Sequence, residues 1–139
     1  MYRVLIVDDE PLARKKIRRM LSGEADMDVV GECADGASAV SAINELNPDL
    51  VFLDVQMPEM NGLEVIRAIG PRRLPALIFV TAYDSYALQA FEAEALDYLL
   101  KPFDSLRFQE SLQRVRRRIG EHDRDKLNEQ IRQLASRFG

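Results

Sequence analysis

Cysteine and histidine are nearly absent from this 139-residue chain, and long apolar runs do not occur in it. The single cysteine, Cys33, has no partner for an internal disulfide, so we expect a small core residue in a reducing compartment. No apolar run approaches the ~20 residues that a membrane-spanning helix needs. The first residues, Met1 to Arg3, lack the regions of a signal peptide. We therefore expect a cytoplasmic protein that does not interact with membranes.

The composition is that of one soluble domain, with 47% hydrophobic and 30% charged residues. The charge is divided unevenly along the chain. Residues 104–139 contain nine Lys and Arg against six Asp and Glu, a net charge of +3, which leaves −7 on residues 1–103. An acidic body of this kind is a poor surface for nucleic acid. Any DNA contact is expected to come from the basic tail or from a part of the protein outside this chain.

Five short apolar runs alternate with segments of helical periodicity, which predicts strands and helices in turn. Most of these runs are continuously apolar, as expected of parallel strands that are buried on both faces. We predict a doubly wound, five-stranded parallel α/β sandwich with a helical C-terminal tail. The predicted strands are Tyr2–Val7, Val29–Cys33, Leu50–Leu53, Ala76–Val80 and Leu96–Leu100. Helix starts are predicted at Pro11, Asp35-Gly36, Asn61 and Asp104-Ser105.

The last residues carry a second, narrower apolar pattern. Gly120 interrupts the helical periodicity after Ile119, and apolar residues then recur at helical spacing. They are Leu127, Ile131, Leu134 and Phe138. We predict a domain over residues 1–119 and a helical linker or pairing segment over residues 120–139. The alternative is a frayed polar tail, because isolated helices of this length are marginal in water.

Reactive side chains follow four of the five predicted strands. They are Asp8-Asp9, Asp54, Thr81 and Lys101. The carboxyl ends of parallel strands meet at one edge of an open sheet, so we expect these side chains to converge there. Three carboxylates in one place repel one another unless a positive charge lies between them. Oxygen ligands without a His or Cys cluster favour Mg²⁺ over zinc.

Asp54 is the best candidate for a nucleophile among these carboxylates. It stands alone after a central strand, whereas Asp8 and Asp9 are adjacent and can share an ion. Attack by an Asp carboxylate on phosphorus gives an acyl phosphate, and Thr81 and Lys101 would hold the other phosphoryl oxygens. Each of these residues alone could be a helix cap, a turn residue or a solvated side chain. Their joint occurrence at four strand ends favours the phosphoryl site.

Three stretches resemble the receiver domain of two-component response regulators, over about residues 2–119. They are VLIVDDEP at 4–11, DLVFLDVQMPEMNGLEVI at 49–66 and FVTAYDSYALQAFEAEALDYLLKPF at 79–103. The third stretch is further similar to regulators that carry a LytTR-type DNA-binding domain. The resemblance implies a phosphorylation-activated switch that controls transcription through an output domain outside this chain.

The resemblance also implies a role for each site residue. Asp54 would accept a phosphoryl group from a sensor histidine kinase, and Thr81 and Lys101 would hold its oxygens. Tyr98 would turn inward on activation, with Thr81 as the other switch residue. The Lys101-Pro102 peptide bond would be cis. The Mg²⁺ ligands would be Asp8, Asp9, Asp54 and the backbone carbonyl of Gln56.

The proposed switch also implies which partners the chain would bind. A change at the sheet edge would alter the surface formed by the helix near Ser85–Glu94, the fifth strand and the helix near Ser105–Ile119, and we expect a homodimer there on activation. The basic cluster at Arg114 and residues 116–118 is interpreted as a solvated helix face with ion pairs. The only histidine, His122, is interpreted as solvated, so the phosphodonor must come from outside the chain.

Three other classes of function compete with this interpretation. Phosphatases of the haloacid dehalogenase type need an Asp two residues after the nucleophile, where this chain has Gln56, so an enzyme beyond self-phosphorylation and dephosphorylation is not expected. A flavodoxin-like cofactor binder needs a Gly-rich phosphate loop after the first strand, and the chain has Asp-Asp-Glu-Pro there. A receiver-like interaction scaffold that ignores phosphorylation stays open as the alternative.

Overall fold

A computed structural model describes residues 1–70, 74–83 and 95–138 of the chain, without the side chains of residues 122 and 138. The predicted helix near Ser85–Glu94 and the interpretation of the His122 side chain lie outside this description. The strands are β1 (Tyr2–Val7), β2 (Met27–Cys33), β3 (Leu50–Asp54), β4 (Ala76–Thr81) and β5 (Asp97–Leu100). The helices are α1 (Pro11–Ser22), α2 (Gly36–Leu46), α3 (Gly62–Ile69) and α4 (Ser105–Phe138).

The five strands form one parallel sheet in the order β2-β1-β3-β4-β5, which confirms the predicted fold class. Alternate residues of a strand point to opposite faces. Val4 and Ile6 of β1 therefore enter one buried cluster with side chains of α1 and α4. Leu5 and Val7 enter a second cluster with side chains of α2 and α3. Because both faces are covered, the strands needed continuous apolar sequence.

The largest difference from the predicted strands is at β2. It begins at Met27, two residues earlier than predicted, and Met27 pairs with Tyr2 of β1. β2 is an edge strand whose residues Asp28 and Glu32 are exposed. Polar residues in such a strand interrupt the apolar run, so a prediction from hydrophobicity alone put the start of β2 too late.

Short-range caps fix where the helices begin. The Asp35 side chain accepts a hydrogen bond from the Ser38 amide at 2.8 Å, and Asp104 accepts one from the Arg107 amide at 2.8 Å. Asn61 and Glu64 form a reciprocal capping box at the start of α3. Each cap satisfies amides that have no partner inside the helix. These three predicted helix starts are confirmed, and α1 begins at Pro11 as predicted, without a side-chain cap.

α4 is one continuous helix of 34 residues that runs through Gly120, which confirms the predicted helical C-terminal tail. Glycine costs only ~1 kcal/mol in a helix interior, and flanking helix formers can absorb that cost. A Cβ at Gly120 would meet no atom of another part of the chain within 4 Å, so close packing does not require glycine there. At 1.5 Å per residue, α4 is about 50 Å long. The division of the chain at residue 119 stays a prediction.

Ion pairs hold the first half of α4 against the domain. Arg116 contacts Asp26 at 2.8 Å and Glu24 at 2.9 Å, and Arg114 contacts Asp97 at 3.1 Å. These contacts confirm the predicted ion pairs for two of the four arginines in the basic cluster. Among the described residues, no helix combines the length and apolarity needed to cross a membrane.

Candidate functional site

The carboxyl ends of four strands bring the predicted site residues to one edge of the sheet. Asp8 follows β1, Asp54 ends β3, Thr81 ends β4 and Lys101 follows β5. The three strands β1, β3 and β4 are adjacent, and β5 completes the edge. Asp8, Asp54 and Thr81 are each at least 96% buried, so the surrounding backbone fixes these side chains.

Lys101 joins the two buried carboxylates. Its Nζ donates a hydrogen bond to Asp8 Oδ2 at 2.8 Å and lies 3.7 Å from Asp54 Oδ2. The Lys101 amide also donates to the Thr81 carbonyl at 2.7 Å, which fixes β5 against β4 next to the site. The Lys101-Pro102 peptide bond is cis, as the resemblance implied.

The electrostatic environment of Asp54 is set mainly by burial. Burial and the negative charge of Asp8 raise the pKa of Asp54 to about 7, although Lys101 opposes this shift. Asp54 Oδ1 also accepts a hydrogen bond from the Gln56 amide at 3.1 Å, which favours the ionised form. Additional positive charge at the sheet edge would stabilise the ionised form of Asp54.

The pKa of Lys101 is raised like that of Asp54, but for a lysine a raised pKa favours the charged form. Burial alone would lower the pKa of Lys101, but its hydrogen bond to Asp8 and the charge of Asp54 raise it above the usual value. The distances explain the asymmetry, because Lys101 is in direct contact with Asp8 and is farther from Asp54. The positive charge of Lys101 therefore compensates the charge of Asp8 more strongly than that of Asp54.

A group of acidic side chains next to Asp54 has the chemistry of a hard-metal site. The carboxylate oxygens of Asp8, Asp9 and Glu10 lie within 4.8 Å of one another, the only such group among the described residues. Glu10 was not among the predicted ligands, and its amide donates to Asp8 Oδ1 at 2.9 Å. Oxygen donors at this spacing suit Mg²⁺. The sequence run Asp-Asp-Glu was the signal that would have found Glu10.

A shallow depression of about 400 Å³ opens beside these carboxylates. Asp9 lines one side of it, and residues of the β3–α3 loop line the other side. The loop residues are Gln56, Met57, Pro58 and Asn61. The depression therefore lies between Asp9 and the loop that follows Asp54.

The two predicted switch residues share a partner. The Thr81 Oγ1 accepts a hydrogen bond from the Tyr83 amide at 3.4 Å. The Tyr98 hydroxyl donates to the Tyr83 carbonyl. Thr81 is fully buried and Tyr98 is half-buried against the second core cluster. Tyr83 therefore connects the end of β4 to the side chain from β5 through its own backbone.

Gly62 allows the start of α3 to lie directly against the end of β3. Its amide donates to the Val55 carbonyl at 2.8 Å. A Cβ at this position would lie 2.6 Å from the Asp54 carbonyl oxygen and 3.1 Å from the Val55 Cα. Both obstacles are backbone atoms, which cannot rotate away as a side chain can.

We expect Gly62→Ala to lower the free energy of unfolding by about 2 kcal/mol, because the added methyl group displaces the backbone that carries Asp54. Urea denaturation measures this loss. Gly23→Ala is the matched control, since nothing lies within 4 Å of the Cβ position and its φ is −82°. Equal stability of the two variants would contradict the predicted steric conflict.

A second charged cluster lies where α4 packs on β5, and the sequence did not reveal it. Asp97 is buried, and Arg107 donates to both of its carboxylate oxygens at 2.8 and 2.9 Å. Ser111 also donates to Asp97, and Arg107 reaches the Tyr98 carbonyl at 3.0 Å. Burial alone would raise the pKa of Asp97, but these hydrogen bonds hold it below the usual value.

Comparison with known proteins identifies the family. Residues 4–113 match the sequence-family model of the response regulator receiver domain. The chain is 47% identical to the transcriptional regulatory protein BtsR of Salmonella typhi over 123 residues, 88% of this chain and 52% of that protein. It is 50% identical to an uncharacterized response regulatory protein of Yersinia pestis over 117 residues, 84% of this chain and 49% of that protein. The chain therefore spans about half the length of the curated relatives it matches.

The solved structures agree with the sequence comparison. The response regulatory domain of mrkE from Klebsiella pneumoniae superposes with a TM-score of 0.79 at 30% identity, covering 86% of this chain and 98% of that one. The five-stranded parallel sheet, the buried acidic edge and the family match agree with one another. This chain belongs to the receiver domain family of two-component response regulators.

Proposed function

We propose that Asp54 accepts a phosphoryl group from a sensor histidine kinase. The observation that carries the proposal is the position of this carboxylate, buried at the end of central strand β3 with Lys101 Nζ 3.7 Å away. Family membership supports a signalling role in a two-component system. Thr81, at the end of the adjacent strand, and Lys101 would hold the phosphoryl oxygens.

The proposed reaction converts the carboxylate into an acyl phosphate. A carboxylate oxygen of Asp54 attacks the phosphorus of a phosphohistidine on the kinase. A P–O bond forms as the P–N bond breaks, and the imidazole nitrogen keeps the electron pair. Lys101, which keeps its positive charge, would stabilise the negative charge that gathers on the phosphoryl oxygens.

The proposed cofactor is Mg²⁺, held by Asp8, Asp9, Asp54 and the backbone carbonyl of Gln56. The oxygen donors suit this ion, and the raised pKa of Asp54 supports a site in which added positive charge stabilises the ionised carboxylate. When bound, Mg²⁺ would neutralise the charge that develops on the transferred group. Glu10 is a further candidate for this acidic group because its carboxylate lies with those of Asp8 and Asp9.

Activation would be transmitted through the hydrogen bonds of Tyr83. A phosphoryl group adds about −1.5 to −2 charge and strong acceptor oxygens at the sheet edge. Movement of Thr81 toward those oxygens would shift Tyr83, to which the Tyr98 hydroxyl donates. We propose that the altered surface around β5 forms a homodimer. We also propose that the output is transcription, through a LytTR-type DNA-binding domain outside this chain.

Incubation with acetyl phosphate and Mg²⁺ tests the proposed phosphoacceptor. We expect the intact chain to gain the mass of one phosphoryl group, and Asp54→Asn to gain none. Asp28→Asn is the matched control, because Asp28 is an exposed carboxylate on edge strand β2.

Two results would contradict the proposal. Absence of labelling in the wild type would favour a scaffold that ignores phosphorylation, and equal labelling of Asp54→Asn would assign the acceptor elsewhere. Light scattering on the same labelled and unlabelled samples, at a concentration where the unlabelled chain is monomeric, tests the homodimer. Labelling without an increase in mass would then exclude dimerisation on activation.

A further inference from the structure

The second half of α4 presents an apolar stripe to solvent. Residues 121 and 123–137 are all exposed. Leu127, Ile131 and Leu134 are 54%, 54% and 52% exposed, although they share one side of the helix. A helix of this length without tertiary packing is marginal in water. The stripe therefore indicates that this part of α4 gains stability from a partner.

The spacing of the stripe matches a two-stranded coiled coil. Leu127, Ile131 and Leu134 follow one another at intervals of four and three residues, which are the d, a and d positions of a heptad repeat. A seam of only two positions per heptad is narrower than the apolar face of a helix that packs on a globular surface. A β-branched residue at a with Leu at d favours parallel dimers.

The residues beside the seam favour a second copy of the same helix. Asn128 and Ala135 occupy e positions and Gln130 occupies a g position, so no like charges meet across this part of a parallel pair. One turn earlier, Arg124 occupies an a position and Asp123 the g position before it. In a parallel, in-register pair, Asp123 of one copy lies near Arg124 of the other, which offsets the repulsion between the two arginines.

Beyond Arg124, two charged residues of the segment lie away from the seam. Arg132 and Glu129 form an ion pair at 3.7 Å, and they occupy b and f positions on the outer face of the helix. This pair supports the helix without covering Ile131 or Leu134. The apolar stripe is thus both exposed and unobstructed by charge.

We propose that residues 124–137 of α4 pair with the same residues of a second copy as a short, parallel, two-stranded coiled coil. The seam contains no residue of the phosphoryl site, so this pairing does not require phosphorylation. About two heptads are involved, which makes the association weak, with dissociation constants of roughly 10 to 100 μM. The pairing adds a second contact between copies to the homodimer proposed around β5.

Sedimentation without phosphodonor or Mg²⁺ tests the association. As concentration rises through this range, we expect the average mass to increase from 15.8 kDa toward twice that value. Ile131→Glu should stay at the monomer mass, because it places like charges in the seam. Glu129→Gln on the outer face is the matched control and should associate like the wild type. A wild-type chain that stays monomeric throughout would overturn the proposal.

Cysteine crosslinking tests the parallel register. In a Cys33→Ala background, Leu134→Cys should form disulfide dimers at least about tenfold faster than Glu129→Cys, because d positions of a parallel pair face each other. Equal rates would overturn the parallel pairing. The same difference is expected when Asp54→Asn is added, so failure of this inference is distinguishable from failure of the proposed phosphorylation.

Discussion

Asp54→Asn is expected to stabilise the metal-free chain by about 3 kcal/mol at about pH 8. The wild type must bury an ionised carboxylate beside Asp8 at this pH, and Lys101 Nζ lies 2.8 Å from Asp8 but 3.7 Å from Asp54. Asn is similar in size and carries no charge. Its side-chain oxygen can keep the hydrogen bond that the Gln56 amide donates to Asp54 in the wild type.

The expected pH dependence follows from the two pKa values of Asp54. The ordinary value is 3.8, and burial with the charge of Asp8 raises the pKa in the folded chain to about 7. Between these values, the folded state holds a proton that the unfolded state has released. The free energy of unfolding therefore falls as pH rises from about 4 to about 7, and stays low above that range.

Urea denaturation across this pH range measures the effect. The wild type should lose stability toward neutral pH, whereas Asp54→Asn should lack most of this slope and Asp28→Asn should keep it. Added Mg²⁺ should stabilise the wild type at about pH 8 more than Asp54→Asn, since a ligand of the folded state shifts unfolding by mass action. Parallel pH profiles for the wild type and Asp54→Asn would contradict the assignment of a buried charge.

Arg107→Met is expected to lower the free energy of unfolding by about 3 kcal/mol at neutral pH. The substitution removes both hydrogen bonds that Arg107 donates to Asp97, and the Asp97 side chain is only 4% exposed. Methionine keeps much of the apolar length of arginine, so the measured loss reports mainly the uncompensated carboxylate. Arg114, 3.1 Å from Asp97, limits the loss by keeping one partner in place.

Arg114→Met is the matched control on the same helix. Arg114 is half-exposed and makes a single bond to Asp97, so we expect a loss of about 1 kcal/mol or less. The pKa of Asp97 is held below its usual value, so the stabilisation that depends on its charge is present near neutrality and is lost as pH falls through that lowered pKa. Equal losses of unfolding free energy for the two variants would contradict this prediction. They would show that the two hydrogen bonds from Arg107 stabilise the fold no more than the single one from Arg114.

The sheet and much of the candidate site could be predicted because both depend on short-range patterns. Continuous apolar runs gave the buried strands, and the residue that follows each run had to lie at the carboxyl edge. Asp8, Asp54 and Lys101 accordingly lie together. Their roles in phosphoryl transfer and metal binding are proposals that the labelling and stability measurements test.

The rest depended on contacts that sequence patterns do not specify. Asp97 was predicted only as one residue of the strand Leu96–Leu100, and its burial is understandable only once Arg107 and Ser111 of α4 lie beside it. The helix continued through Gly120 because a single glycine costs little in a helix of this length. The start of β2 was misplaced because an edge strand mixes polar with apolar residues.

The contact between Lys101 and Asp8 has a consequence for the order of folding. The two residues are 93 positions apart in the chain, and they directly follow the first strand, β1, and the fifth strand, β5. Contacts of such long separation form only after large loops have closed. The charges around Asp54 are therefore complete only in a chain whose strand β5 has joined the sheet. A growing or half-folded chain carries Asp54 without the nearby charge of Lys101.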